Sequence, residues 1–281
     1  MPYVELSLPR RRWIADLAEV AFADAGGVIP VQPAPLIDEH GITFSSGDYG
    51  NAFDGMLEHR AKRFHIYCNV RDTDYPGSTR ARFTVGHELG HFFIDEHRNA
   101  LASGRAEAHR SFIDNGSNSI VETEANTFSS HFLMPQQAFR KAVLKEKPGL
   151  RGLLNVSSTF STSAQATAIR YVEECQIPCA AMMFRPGKRP WTAISPALKK
   201  LGYDYGIAPE ASALPDGFAA KRAHEAQAIT GLSEIFEVPS TATFWFDRVS
   251  PSSPRNCVIV EQAVRLSQFG VLALLLFPKL Q

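Results

Sequence analysis

Residues 82–95 read RFTVGHELGHFFID, and the H-E-x-x-H at the centre of this stretch decides how the rest of the chain is read. On an α-helix, residues four apart are offset by only about 40°, so His87 and His91 present their rings to one point from the same side. Such a pair suits a tetrahedral metal ion. Glu88 lies near that face without competing to be a first ligand, a placement suited to taking a proton from metal-bound water. The plainer alternative is a helix with two satisfied histidines on a polar face. The surroundings argue against it: Val85, Leu89, Phe92 and Phe93 cluster on the opposite side, and Phe83 and Ile94 flank the histidines. Two histidines and a glutamate in so apolar a helix need partners. Gly86 and Gly90 form a thin edge along it. Each glycine costs roughly 1 kcal/mol against alanine in a helix interior, so the pair points to another backbone packed close by.

A tetrahedral site needs a third protein ligand from elsewhere in the chain. Residues 119–135, SIVETEANTFSSHFLMP, read as a second helix. Ser119 can cap it with Glu122 three residues on, and Pro135 follows it. Ala125, Phe128, Phe132 and Leu133 make its apolar stripe. Glu122 and Asn126 share one face. In gluzincin peptidases a glutamate so placed binds zinc, and the side chain four residues on buttresses a ligating histidine. Glu124 competes for the same role but points about 160° away from Asn126, so Glu122 is preferred. Both carboxylates also fit as solvent-facing first-turn residues favoured by the helix dipole.

With these two helices in hand, the chain resembles the ImmA/IrrE family of metallopeptidases. The hallmark of that family is an R-F-T-x-x-H-E-x-G-H helix and an E-x-E-A-N-x-F-x-x-x-L-M-P helix, matched here by RFTVGHELGH and ETEANTFSSHFLMP. VIPVQPAPLIDEHGITF (28–44) is similar to the family's opening helix and strand, and KRFHIYCNV (62–70) to its strand before the active-site helix. The resemblance spans roughly residues 10–140, and its small departures, at Val85-Gly86 and His131-Phe132, touch no ligand. It implies that His87, His91 and Glu122 are metal ligands, that Glu88 is the catalytic base and that the metal is Zn2+. The spacing alone accepts other divalent ions such as Mn2+. A donor for the oxyanion is also expected. Tyr67, Arg82, His97 and His131 stand as candidates, with no choice among them. The strand FHIYCN (64–69) is a candidate cleft rim that pairs with an extended substrate.

Downstream, GLRGLLNVSSTFSTSAQATAIRYV (149–172) resembles a helix-turn-helix, with Phe160 in the turn and a second helix from about Ser163 to Glu174. Ala164, Ala168, Ile169 and Val172 form its expected buried stripe. Arg170 is the one basic residue of that second helix, which argues against DNA binding, because phosphate contacts come mainly from Lys and Arg. The remainder alternates strand-like segments, CAAMMFRPGKRPWTAIS (179–195), TATFWFDRVS (241–250), NCVIVEQAVRL (256–266) and GVLALLLFP (270–278), with one helical pattern, GFAAKRAHEAQAIT (217–230). Its layout resembles the GAF-like sensor domain of IrrE-type family members, which allows for a small-molecule signal, although no ligand residue stands out.

Composition limits the remaining classes. Lys+Arg and Asp+Glu both number 29, giving a formal net charge of zero and no electrostatic case for a dedicated nucleic-acid binder. No phosphate-cradling glycine loop is present. The longest apolar run, VLALLLF (271–277), is far too short for a membrane span. The N-terminal segment lacks a signal-peptide core and reads as a Pro-started amphipathic helix carrying Trp13, Ile14, Leu17 and Val20. Cys68, Cys175, Cys179 and Cys257 form no C-x-x-C pair, as expected of reduced core thiols in a cytoplasmic protein.

The expected fold is therefore α+β in three modules. These are a gluzincin-like zinc-peptidase domain (1–140), a helix-turn-helix module (141–178) and a C-terminal GAF-like α+β domain (179–281). The resemblance implies a metal-dependent endopeptidase that cleaves a helix-turn-helix transcriptional repressor and so induces a DNA-damage or stress response. The alternative is a non-proteolytic regulator or sensor that binds DNA or a partner and keeps the metal for structure.

Overall fold

The structure is a computed structural model that describes residues 6–70, 75, 77–112, 119–175, 177–185, 188–204, 211–226, 234–246, 248–249, 257–266 and 270–278. It divides into two compact units, Met1–Phe139 with Thr159–Ser163, and Arg140–Ser158 with Ala164–Gln281.

The first unit opens with α1 (Leu8–Asp24) and α2 (Ala34–Glu39), followed by strands β1 (Thr43–Gly47), β2 (Gly55–Arg60) and β3 (Arg63–Asn69). Then come α3 (Thr79–Phe93), α4 (Asp95–Ala102), β4 (His109–Ser111) and α5 (Ile120–Leu133). Ser7 caps α1 by accepting from the Arg10 amide, and Pro9 sits in the first turn, where its missing N–H costs nothing. The face α1 buries is Ile14, Ala15, Ala18 and Ala21, whereas Trp13 and Val20 are exposed. The expected Trp13–Val20 stripe is thus displaced towards the small residues, because alanines let α1 lie close on α5.

The sheet runs β1-β3-β2-β4, with β1 and β3 parallel and the other pairs antiparallel. β3 holds the FHIYCN segment expected to rim the cleft, but it is an interior strand. Its amides and carbonyls are used by β1 on one side and β2 on the other, so it has no free edge to offer a substrate. Ile66 and Cys68 of β3 and Leu57 of β2 face a core shared with Val85 and Leu89 of α3 and with Phe128 and Phe132 of α5.

Ser78 caps α3 by accepting from the amides of Arg80 and Ala81. From Ala81 to Phe92 every residue but Phe83 is buried. The two glycines behave as their spacing suggested. A Cβ on Gly90 would meet the Ala125 Cα and carbonyl oxygen at 3.1 Å, and one on Gly86 would meet Ser129 Oγ at 2.7 Å. These contacts bring the backbones of α3 and α5 together. Ala125, Phe128, Phe132 and Leu133 are all buried, as expected of the α5 stripe. The capping box expected of Ser119 and Glu122 does not form: Ser119 holds the cap position, and Glu122 is directed elsewhere.

The second unit takes most of α6 (Gln136–Lys145) and α7 (Leu150–Phe160), together with α8 (Ala164–Glu174). It continues with β5 (Cys179–Arg185), β6 (Lys188–Ile194), α9 (Pro196–Lys200), β7 (Tyr203–Asp204) and α10 (Ala219–Glu225). β8 (Ile235–Thr241), α11 (Ala242–Trp245), β9 (Arg248–Val249), β10 (Val258–Arg265) and β11 (Val271–Leu276) complete it. Its main sheet is antiparallel in the order β6-β5-β11-β10-β8, while β7 pairs with β9. β11 is buried along its whole length, which is why VLALLL reads as a continuous apolar run.

TATFWFDRVS is not one strand. β8 ends at Thr241, and one helical turn places Ala242, Trp245 and Phe246 together in the core, where strand alternation would have turned Trp245 and Phe246 to opposite faces. Asp247 and Ser250 lie outside the described residues, as do 227–230 of the expected GFAAKRAHEAQAIT helix and the Pro186-Gly187 turn. On α8 the buried residues are Thr167, Ala168, Arg170, Tyr171 and Val172, with Ala164 and Ile169 only half-buried. Tyr171 explains the rotation, since its hydroxyl accepts from the Gly149 amide and draws that face inward. The four cysteines are buried thiols outside any disulfide. Among the described residues no helix is long and apolar enough to cross a membrane.

Glu261 of β10 is fully buried, with Oε1 accepting from the Ala220 amide at the start of α10. Burial pushes its carboxyl from an ordinary 4.5 up to about 7, against the opposing pull of that amide bond. Because the folded pKa exceeds the unfolded one, the unfolded chain loses its proton first as pH rises. Stability therefore falls from about pH 4.5 to about 7 and levels off above. Glu261→Gln keeps the acceptor and removes the charge. Thermal melts should show it more stable than wild type by a few degrees at pH 8, with the gain gone near pH 5.

Candidate metal centre

The approach of α3 and α5 sets Glu122 over the two histidines. His87 Nε2 and His91 Nε2 lie 3.1 Å apart, Glu122 Oε1 is 3.2 Å from His91 Nε2, and Glu122 Oε2 is 3.5 Å from His87 Nε2. A tetrahedral site with bonds of about 2.0–2.1 Å has edges of roughly 3.3–3.4 Å. The two ring nitrogens and the carboxylate, which meets each of them through a different oxygen, are close enough to surround one small divalent cation. Two unprotonated ring nitrogens this close repel each other unless a proton or a cation lies between them. All three residues are buried, and among the described residues they are the one cluster of three His, Cys, Asp or Glu close enough to share an ion.

Each ring is held from behind. His87 Nδ1 lies 3.0 Å from Asn126 Oδ1, four residues beyond Glu122 on the same face. An amide oxygen only accepts, so Nδ1 carries the proton and Nε2 keeps its lone pair for the site. Burial works against charge on His87, but its hydrogen bond to Glu122 and the field of Glu88 outweigh that, and its pKa rises above the ordinary 6.5. A bound cation would take the place of that proton.

Behind His91 stands His97. Helix α3 stops at Ile94, whose extended backbone lets α4 double back. His97 Nδ1 then meets His91 Nδ1 at 3.2 Å, and His97 Nε2 meets Glu124 Oε2 at 2.9 Å. Glu124 in turn takes both arms of Arg10, at 2.8 and 2.9 Å, and Arg10 also reaches Glu96 at 3.0 Å. Burial holds His97 below the usual histidine pKa, outweighing the nearby charge of Glu124. The hydrogen bond to Glu124 raises Arg10, and the bond from Arg10 lowers Glu96. Glu124, weighed as a competing ligand, thus belongs to the row behind His91.

Glu88 is wholly buried between the two histidines in sequence. Its carboxylate lies against β2, where Gly55 leaves room for it: a Cβ there would come within 2.5 Å of both Glu88 Oε1 and Thr84 Cγ2. Gly55 was not legible as a site residue, because a strand glycine has many causes. Its register opposite Cys68 places it on the helix-facing side of the sheet.

The four oxyanion candidates do not gather here. Arg82 is buried and donates to the Val31 carbonyl, and His97 faces His91. Tyr67 lies between Ile66 and Cys68, which face α3, so it emerges on the other face of the sheet and donates to Glu58 at 3.1 Å. His131 lies nine residues along α5 from Glu122, about 180° around the helix.

Residues 66–171 match the family described as the IrrE N-terminal-like domain, Peptidase M78. This match supports an ImmA/IrrE family assignment for that stretch. A curated relative, the radiation response metalloprotease IrrE of Deinococcus radiodurans, is 24% identical over 111 residues. That match takes in 40% of this chain and spans 33% of the relative's length. Among solved structures, a Mycobacterium tuberculosis transcriptional regulator superposes on 95% of this chain and 89% of its own with a TM-score of 0.58. At 14% identity that likeness speaks for the fold alone. The family match suggests a metal-dependent peptidase with a protein substrate, and the His-His-Glu cluster suggests a divalent metal.

Gly55→Ala should destabilise the fold by about 1–3 kcal/mol, the usual range for overpacking. Denaturant unfolding of a double-mutant cycle with Glu88→Ala should recover part of that loss, because the carboxylate is one of the two groups the new methyl meets, the Thr84 methyl being the other.

Proposed function

We propose that this chain is a metal-dependent endopeptidase in which His87, His91 and Glu122 hold the metal and Glu88 is the general base. The observation that carries this reading is the convergence of three buried side chains, with His87 Nε2 and His91 Nε2 3.1 Å apart and the two Glu122 oxygens 3.2 and 3.5 Å from them. Zn2+ is the preferred ion for two imidazoles and a carboxylate, with Mn2+ accepted by the same donors. When bound, such an ion lowers the pKa of a coordinated water towards neutrality and polarises the scissile carbonyl.

The remaining chemistry belongs to the chain. Glu88 takes the proton of the attacking water and returns it to the leaving amine. Its burial against Gly55 and Thr84 fixes where that proton is received. Asn126 holds His87 with Nε2 turned to the site. A substrate strand needs an edge, and β4, which among the described residues pairs with β2 alone, lies at one margin of the first sheet. Pairing there requires an extended, locally unfolded stretch of the target.

The proposed target is a helix-turn-helix transcriptional repressor in the cytoplasm, and its cleavage would start a DNA-damage or stress response. The name of the Deinococcus relative, a radiation response metalloprotease, supports the protease and stress-response parts of this reading. Helices α7 and α8 fit the proposed helix-turn-helix module, with Ser161 at φ +49° in the turn between them. Arg170, the one basic residue of α8, is buried and paired with Glu173 at 3.2 Å. That favours a structural or docking role for the module over DNA binding. The five-stranded sheet of the second unit supports the GAF-like reading, and with it control by a small-molecule signal.

Newly formed protein N-termini, compared between stressed source cells carrying wild type or Glu88→Gln, test the whole reading. The expected result is a cut inside a helix-turn-helix repressor that falls roughly 10²- to 10⁴-fold with Glu88→Gln, while the purified variant keeps its metal. Identical termini in the two strains would leave the non-proteolytic regulator as the better account.

A further inference from the structure

Three side chains outside the proposed ligand set stand in a row behind His91, each on a different helix. Arg10 of α1 lays its fork on Glu124 of α5 at 2.8 and 2.9 Å. With both oxygens already accepting from a guanidinium, the Glu124 carboxylate meets any further partner as a hydrogen-bond acceptor. His97 Nε2 of α4, 2.9 Å from Glu124 Oε2, must then be a donor. A neutral imidazole with its proton on Nε2 offers a lone pair on Nδ1. With His97 neutral, His91 Nδ1, 3.2 Å away, supplies the proton for that contact. His91 Nε2 is left with its lone pair, facing His87 and Glu122. Each proton in the row is fixed by its neighbour, and the row ends on the atom a metal needs. Reversing any member would set two N–H groups or two lone pairs against each other.

We propose that His97 and Glu124, clamped by Arg10, are positioning residues of the metal centre that fix the tautomer and ring plane of His91 so that Nε2 is presented for ligation. This rests on the metal-centre reading above. None of the three touches a reacting atom, and each acts through His91. His87 needs only the local amide of Asn126, which rides on the same helix as Glu122. His91 instead draws on an ionised group, and that group requires its own counter-charge, because Glu124 is buried. Helix α1 is thereby part of the centre although it contributes no ligand. Partners behind metal-binding histidines set ring orientation and basicity in this way.

The full-length metal-free protein, titrated with Zn2+ against a chromophoric chelator, reports metal affinity without reference to turnover. His97→Phe and Glu124→Gln should each lower that affinity roughly 10- to 100-fold, with the folded content of the metal-free variants followed by circular dichroism. A two-bond 1H–15N spectrum of the wild-type histidines at pH 7.5 needs no substitution and should show His97 neutral with its proton on Nε2. Folded variants that bind Zn2+ as tightly as wild type overturn the row alone, as does a His97 proton found on Nδ1. A wild-type chain that takes up no Zn2+ overturns the metal-centre reading, and the row falls with it.

Discussion

The contact between the backbones of α3 and α5 is what the rest of the first unit depends on. Gly90 lets the Ala125 backbone approach to a distance at which any side chain would be crowded, and Gly86 makes room for the side chain of Ser129. Two helices this close can share a site with short donors, so a glutamate from one reaches both histidines of the other. Ordinary helix pairs stand 8–10 Å apart, at distances set by the side chains between them. Glycine at two successive turns removes those side chains on one helix only. The propensity lost at each glycine is repaid by burying Phe128 and Phe132 in the same interface.

Around that contact the polar groups are arranged by directness. Asn126 steadies His87 from within the helix that carries Glu122, a single neutral bond. His91 is steadied through two further helices and a guanidinium–carboxylate pair. Gly55 admits Glu88 from the sheet side. Helices and sheet thus each supply one face of a buried polar pocket, and the apolar residues between them keep water from screening it. The second unit handles a buried carboxylate differently: Glu261 rests on the amide of Ala220 and stays partly protonated near neutrality instead of gaining a counter-ion.

Sequence legibility followed the range of each interaction. The histidine pair and the Glu122–Asn126 pair are local, four residues apart on regular helices, so periodicity alone set their phase. Helical phase also separated Glu122 from Glu124 correctly in direction. It could not say what Glu124 faces, because Arg10 lies 114 residues away in the chain. In the sequence His97 is chemistry without a place, since its position depends on the break at Ile94. The strand FHIYCN was visible as a strand, but its interior position in the sheet depends on pairing with both neighbours. TATFWF misled because aromatic residues favour strands locally, while the core of the second unit wanted Trp245 and Phe246 on one side. Trp13 and Val20 misled in the same way: helical spacing marks a stripe, but small alanines won the interface.

The long reach between Arg10 and Glu124 also bears on the order in which the molecule is made. A chain emerging from the ribosome releases α1 first, then the strands, then α3 with both histidines, and only last the helix bearing Glu122, Asn126 and Glu124. Until that helix arrives, His91 and His97 have no carboxylate behind them and α1 has nothing to clasp. The pocket therefore closes in one late event, when α5 slides onto the glycine edge of α3 and meets α1 on its other side. Unfinished chains hold two bare imidazoles and half a site, so the capacity to grip a cation, and any capacity to cut, arises only in a nascent protein that has completed its first unit.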